Sequence, residues 1–162
     1  MKRVLAAAMV ALFLAAALAH GEPVQPKWMT TPTKELVDKA RAVTKQVTIQ
    51  DLKAAMEAQP DTVIIDVREP NEYEVAHIPG SINIPRGLIE FSVWSVLSDP
   101  SQKIWVYCKT GARAALATKL LNELGYKHAV AIDTGGVAWV LAGYPVQTSI
   151  TDEEVVLIPV RK

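Results

Sequence analysis

One side chain of this 162-residue chain stands out for covalent chemistry: Cys108, its sole cysteine, in Val106-Tyr-Cys-Lys-Thr-Gly-Ala-Arg113. The apolar run Ile104–Tyr107 leads into it, four residues separate it from Arg113, and an alanine- and leucine-rich stretch follows from Ala114. That order reads as strand, tight loop and helix, with a thiol at the start of the loop. Such a loop turns backbone N–H groups and a helix N-terminus toward the sulfur, and both favour the thiolate, the reactive form of cysteine. Gly111 can take a positive φ and lets the loop curl around its own centre. Lys109 and Arg113 add positive charge for an anionic substrate. A lone cysteine at a strand end is commonly a small buried hydrophobe. Here the glycine, the flanking cations and the following helix argue for a nucleophile seated in an anion cradle.

Upstream, Val63-Ile-Ile-Asp-Val-Arg-Glu-Pro-Asn-Glu-Tyr-Glu-Val-Ala-His-Ile-Pro-Gly-Ser-Ile-Asn-Ile-Pro85 places Asp66 and Arg68 at the end of an apolar, β-branched run. Together with Cys108–Arg113, Gly135-Gly-Val-Ala-Trp139 and Ala142-Gly-Tyr-Pro145, this segment resembles the rhodanese (sulfurtransferase) family over roughly residues 47–146, one whole module. The pattern is most similar to the small periplasmic thiosulfate sulfurtransferases of bacteria, the phage-shock-protein-E type. One local departure is Ala76, where the family usually has glycine before His-Ile-Pro-Gly.

The resemblance implies a rhodanese-like three-layer α/β fold with a mainly parallel central sheet flanked by helices. It also implies ping-pong sulfur transfer from a small anionic sulfur donor such as thiosulfate to cyanide or a thiol acceptor, through a persulfide on Cys108. The backbone N–H groups of Lys109, Thr110, Gly111, Ala112 and Arg113 would hold the charged terminal sulfur, as an oxyanion hole holds oxygen. This chemistry requires no metal or organic cofactor, and His77, His128 and the carboxylates show no ligand spacing. Lys109 reads either as a sulfonate-binding charge or as a solvated loop lysine. Arg113 reads either as a substrate contact or as a structural partner of Asp66 or Glu69. Asp66 and Arg68 match the family's Asp-x-Arg motif and read as supporting framework. His77 reads as a structural turn residue, and Tyr107 and Trp139 as core or wall.

Two rival readings remain. Phosphatases and arsenate reductases on related folds use five residues between Cys and Arg. The four here make a tighter ring, sized for a sulfur atom. A sulfur-carrier or interaction module without significant turnover is the other, although such domains usually lose the cysteine.

The ends of the chain bear on location. Lys2 and Arg3, the uncharged run Val4–Leu18 and Ala17-Leu18-Ala19 read as a secretory signal peptide cut before His20. The run is short for a membrane span. The expectation is a periplasmic, monomeric protein with no stable membrane insertion after cleavage. Removal of residues 1–19 leaves 15 basic against 17 acidic residues, with no basic stripe for nucleic acid. A single cysteine in an exported chain forms no internal disulfide, so chemistry explains its presence better than packing.

Four divisions are expected: signal peptide 1–19, linker and helix 20–46, rhodanese domain 47–146 and C-terminal tail 147–162. The expected elements are a helix over Thr33–Thr44, a strand over Val47–Ile49 and a helix over Gln50–Ala58. A buried strand over Thr62–Val67, a turn or short helix over Asn71–Val75, a strand over Ser81–Ile84 and a helix or irregular segment over Leu88–Leu97 follow. A strand at Lys103–Tyr107, a helix over Ala114–Leu124, a strand at Ala129–Ile132 and a helix from Gly135 to Leu141 complete the module. This βα alternation predicts a parallel sheet covered on both faces, with ligands beyond the carboxyl ends of its strands. Val155–Ile158, in the tail, reads as an edge strand or a segment packed on the sheet.

Overall fold

Short runs of β-branched residues form the strands at the centre of the molecule, and helices cover them on both sides. The computed structural model describes residues 31–149 and 154–155. The expected signal peptide and most of the linker lie outside these residues. The elements are α1 (Thr31–Val43), β1 (Gln46–Val47), α2 (Ile49–Ala58), β2 (Val63–Asp66), α3 (Pro70–Val75) and β3 (Ile82–Asn83). A single 3₁₀ turn (Arg86–Leu88), α4 (Ile89–Val96), β4 (Ile104–Tyr107), α5 (Ala112–Glu123), β5 (Ala129–Ile132), α6 (Gly135–Leu141), β6 (Val146–Gln147) and β7 (Glu154–Val155) follow.

Strands β1 to β5 form one parallel sheet in the order β1-β5-β4-β2-β3. Alternation along the inner strands divides the core in two. Ile65, Val106 and Ala131 face Ile89 and Val93 of α4 and Ala114, Ala117 and Leu121 of α5. Ile64, Trp105 and Ile132 face Leu52 of α2 and Trp139 of α6. Each fully buried Leu or Ile in these layers contributes roughly 1.5–3 kcal/mol of transfer free energy. The result is the expected α/β sandwich of helices around a parallel sheet. Register sets up the site: Asp66 lies beside Tyr107, so β2 and β4 end level with each other, one residue before Cys108.

Several boundaries differ from the sequence expectation by one to three residues. Ile49 belongs to α2, not to a strand, because Thr48 and Asp51 form a reciprocal capping box that starts the helix there. The segment 88–97, expected as a helix or an irregular segment, is the end of a 3₁₀ turn followed by a regular helix. Helix α5 begins at Ala112, so Arg113 stands in its first turn and not in the preceding loop. Toward the C-terminus, β6 pairs antiparallel with β7 in a separate two-stranded sheet. Gln147 also exchanges backbone hydrogen bonds with His77 at 2.9 and 2.8 Å.

Candidate active site

Cys108 directly follows β4, whose four residues are all buried. Its thiol is unpaired, with 1% of the residue's surface exposed. The loop after it is shaped by what happens to its carbonyls. The N–H of Gly136 donates to the Cys108 carbonyl at 2.7 Å, and that of Val137 donates to the Lys109 carbonyl at 3.1 Å. In a planar trans peptide the carbonyl and the next N–H point in opposite directions. The N–H groups of Lys109 and Thr110 therefore face away from α6. The Gly111 carbonyl accepts from Ala115 at 3.0 Å in the first turn of α5, which directs the Ala112 N–H out of the helix's N-terminus. Among the described residues, none of the five N–H groups from Lys109 to Arg113 has a protein acceptor. Successive unpaired donors at the positive end of a helix make an anion-binding concavity.

Two glycines permit this geometry. Gly111 has φ +89°, and a Cβ there would lie 1.9 Å from the Asp133 carbonyl oxygen. Gly135 has φ +64°, and a Cβ there would lie 2.5 Å from the Cys108 carbonyl oxygen. The loop thus packs backbone to backbone against the segment joining β5 to α6.

Arg113 makes a bidentate pair with Glu72, at 2.6 and 2.9 Å. The Glu72 hydrogen bond raises the guanidinium's pKa against the opposing effect of burial, and the Cys108 sulfur adds to the rise as a further neighbour. Conversely, the hydrogen bond from Arg113 holds the Glu72 carboxyl below its ordinary range, against partial burial. The structural partner of Arg113 is therefore neither Asp66 nor Glu69. Asp66 is occupied by Arg68, and the Glu69 backbone N–H donates to Glu72 from the start of α3. Sequence reasoning missed Glu72; its signal was a second carboxylate three residues after Glu69, inside the short helix that Glu69 precedes. Lys109 and Thr110 are exposed, Gly111 is buried, and Ala112 is half-buried. No carboxylate among the described residues pairs with Lys109.

Asp66 and Arg68 pair with each other, Nη2 to Oδ2 at 2.6 Å, with 0% and 12% of their side chains exposed. Burial lowers the Arg68 pKa, but the hydrogen bond and charge of Asp66 outweigh it and hold it up. Arg68 also donates to the Ala76 carbonyl at 2.7 Å. Tyr107 completes this framework: its hydroxyl accepts from the Ile78 N–H at 3.0 Å and lies 3.2 Å from the Ser81 hydroxyl. Burial first, then the Asp66 charge, push the Tyr107 pKa far up, so it stays a neutral phenol. His77 stacks on Tyr73 at 3.8 Å, with Nδ1 2.9 Å from the Tyr73 carbonyl oxygen. The structure thus gathers Cys108, Lys109–Arg113 and Glu72 at the reactive loop. Asp66, Arg68, Tyr107 and the 76–81 turn form an adjoining brace under the end of β4.

Comparison with known proteins agrees with this geometry. The family model of the rhodanese-like domain matches residues 48–142. Thiosulfate sulfurtransferase PspE of Escherichia coli is 36% identical over 64 residues, covering 40% of this chain and 62% of that protein. A Rhodopseudomonas palustris protein of unknown function, described as a possible tyrosine phosphatase, superposes with TM-score 0.67 at 31% identity, over 78% of this chain and 100% of that one. A thiosulfate sulfurtransferase of Pseudomonas aeruginosa superposes with TM-score 0.66 at 26% identity, over 78% of this chain and 25% of that one. The chain spans 21% to 62% of the length of curated relatives it matches. Since the matched segment runs from the residue before α2 through the reactive loop to the end of α6, the chain belongs to the rhodanese-like domain family.

Proposed function

We propose that this chain is a sulfurtransferase that moves a sulfane sulfur from thiosulfate, or a related donor, to cyanide or a thiol as a Cys108 persulfide. The observation that carries the reading is the row of five unpaired N–H donors, Lys109 to Arg113, following a single buried thiol. The Cys108 thiolate attacks the outer sulfur of thiosulfate. A sulfur–sulfur bond forms to Sγ as the bond to the sulfonate sulfur breaks, and the electron pair leaves with sulfite. The terminal sulfur of the persulfide keeps a negative charge, which the loop donors stabilise where water is excluded. Cyanide or a thiolate then attacks that sulfur and restores the Cys108 thiolate. Lys109 supplies charge for the incoming anion, while Arg113, matched by Glu72, orients beside the sulfur. Asp66 and Arg68 support the strand end that bears the cysteine. Export to the periplasm, on the pattern of residues 1–19, belongs to the same proposal.

The description of the Rhodopseudomonas palustris relative makes phosphate ester hydrolysis the reading to test against. The four-residue spacing between Cys108 and Arg113 disfavours it. Incubation of the reduced protein with thiosulfate should add one sulfur atom to its mass, reversibly with cyanide or dithiothreitol. Cys108→Ser should show neither the adduct nor thiocyanate formation. Unchanged thiocyanate production by that variant would overturn the assignment, as would faster hydrolysis of aryl phosphates than sulfur transfer by the wild type. Adduct formation without repeated thiocyanate release would mark a sulfur carrier.

A further inference from the structure

We propose that the apolar groove between α3 and α6 is the docking site of this chain's own residues 156–160, Val-Leu-Ile-Pro-Val, which lie outside the described residues. The groove has a volume of about 490 Å³, and its walls are Val75 at the end of α3 and Val137, Val140 and Leu141 on α6. Val75, Val137 and Leu141 are 67%, 41% and 64% exposed. Neither Cys108 nor any of residues 110–113 lines it, so the groove adjoins the reactive loop without belonging to it. Its occupant therefore needs apolar surface and no reactive group. Valine and leucine gathered on one wet surface gain by being covered.

Topology brings the tail to this groove. Val146, the first residue of β6, is buried and lines it. Strand β6 and the residues after it are tied to α3 and its end. Gln147 exchanges backbone hydrogen bonds with His77, and the Ser149 N–H donates to the Glu74 carbonyl at 3.0 Å. Strand β7 then returns antiparallel, with Val155 opposite Val146. Residue 156 thus starts beside a residue of the groove. Because β6 follows α6 after residues 142–145, the returning chain heads toward the end of α6, where Leu141 is exposed. Five extended residues reach about 17 Å, whereas the seven residues of α6 rise about 10 Å. The segment is long enough to run the length of the α6 wall. Its composition fits the walls: four branched apolar residues, one proline and no charge. Left in water, such a run invites pairing with other chains. Laid in the groove, the run and the walls lose their wet apolar surface together.

The test is a double-mutant cycle on the full chain, read by urea unfolding. One variant replaces Val156, Leu157 and Ile158 with serine, a second carries Val75→Ser with Val137→Ser on the two walls, and a third combines them. Each of the first two should lower the urea midpoint by roughly 0.5 M. The combination should lower it no further than the larger single effect, because the contact is already lost. Additive shifts, or no shift from the tail substitutions, overturn the proposal. Anilinonaphthalene sulfonate, which binds exposed apolar surface, gives a second readout without denaturant. Its fluorescence should rise several-fold in the tail variant and fall back in the combined variant. Equal dye binding by wild type and tail variant overturns the proposal. So does a wild-type midpoint that rises with protein concentration, which would seat the tail of a second copy in the groove. Neither readout uses sulfur transfer, so loss of this proposal leaves the transferase reading untouched.

Discussion

Arg113 meets the sulfur with its charge already matched by a carboxylate, and this changes what each cation of the loop contributes. Glu72 fixes the guanidinium through two hydrogen bonds, so Glu72→Gln should leave Arg113 loosely held. For a pair about a third exposed, the expected loss is about 1 kcal/mol, or roughly fivefold in kcat/KM for sulfur transfer. The same pair has a pH signature. The folded pKa of Glu72 lies below its ordinary value of 4.5. The pair therefore contributes its full stability above that value and loses it as pH falls through the folded pKa. Urea unfolding of wild type and Glu72→Gln should differ by a constant amount near neutral pH, and the difference should narrow progressively as the pH falls below 4.5. A gap that does not narrow on acidification would show that the carboxylate charge is not what stabilises the pair. Lys109, by contrast, is exposed and unmatched, so Lys109→Ala should raise KM for thiosulfate with little change in kcat, at a cost of about 1–2 kcal/mol. Added salt should mimic part of the loss, and an unchanged KM and salt dependence would reduce Lys109 to a solvated side chain. The nucleophile, its cations and its glycine were legible because they fall within six residues. Glu72 was not, because it lies 41 residues from Arg113 and only the fold brings it there.

The loop is held as an element by close backbone packing, and this is where substitution should hurt stability most. Gly111→Ala combines a left-handed φ, costing about 1–2 kcal/mol, with a Cβ 1.9 Å from the Asp133 carbonyl oxygen. That oxygen belongs to main chain tied to the end of β5 and cannot withdraw without moving α6. A total above about 3 kcal/mol is expected, read as a lowered urea midpoint. Gly87→Ala, where a Cβ meets nothing within 4 Å and φ is not positive, should shift stability by less than about 0.5 kcal/mol. Equal midpoints for the two variants would refute the packing of the loop on the β5–α6 connection. At this scale the β-branched runs announced the inner strands, since full burial on both faces demands apolar residues throughout. Boundaries were less legible where side chains compete with the strand. Thr48 caps α2 and draws Ile49 into the helix, and the loop hands over to α5 at Ala112, two residues before the alanine- and leucine-rich run suggested.

Over the whole molecule, alternating strands and helices were enough to indicate a parallel sheet covered on both faces. The strand order β1-β5-β4-β2-β3 was not, because it depends on registers between segments far apart in sequence. That order places β4 at the centre, with β5 and β2 as neighbours, so the cysteine emerges from the most deeply supported strand. The consequence bears on where such a protein can work. An unpaired thiol in an oxidising compartment is exposed to mixed disulfide formation, but Cys108 is 1% exposed. Its loop can admit a small anion while its burial hinders a bulky protein disulfide. The proposed export of this chain therefore predicts a mature form beginning at His20, recovered in the periplasmic fraction, folded without any disulfide and with its thiol still able to take sulfur from thiosulfate. N-terminal sequencing, intact mass and sulfur loading of the periplasmic material measure all of these. A full-length chain in the cytosol with Met1 intact would remove the export proposal. A periplasmic form carrying Cys108 in a stable mixed disulfide would show instead that burial does not protect the nucleophile, and that a dedicated reductant must accompany it.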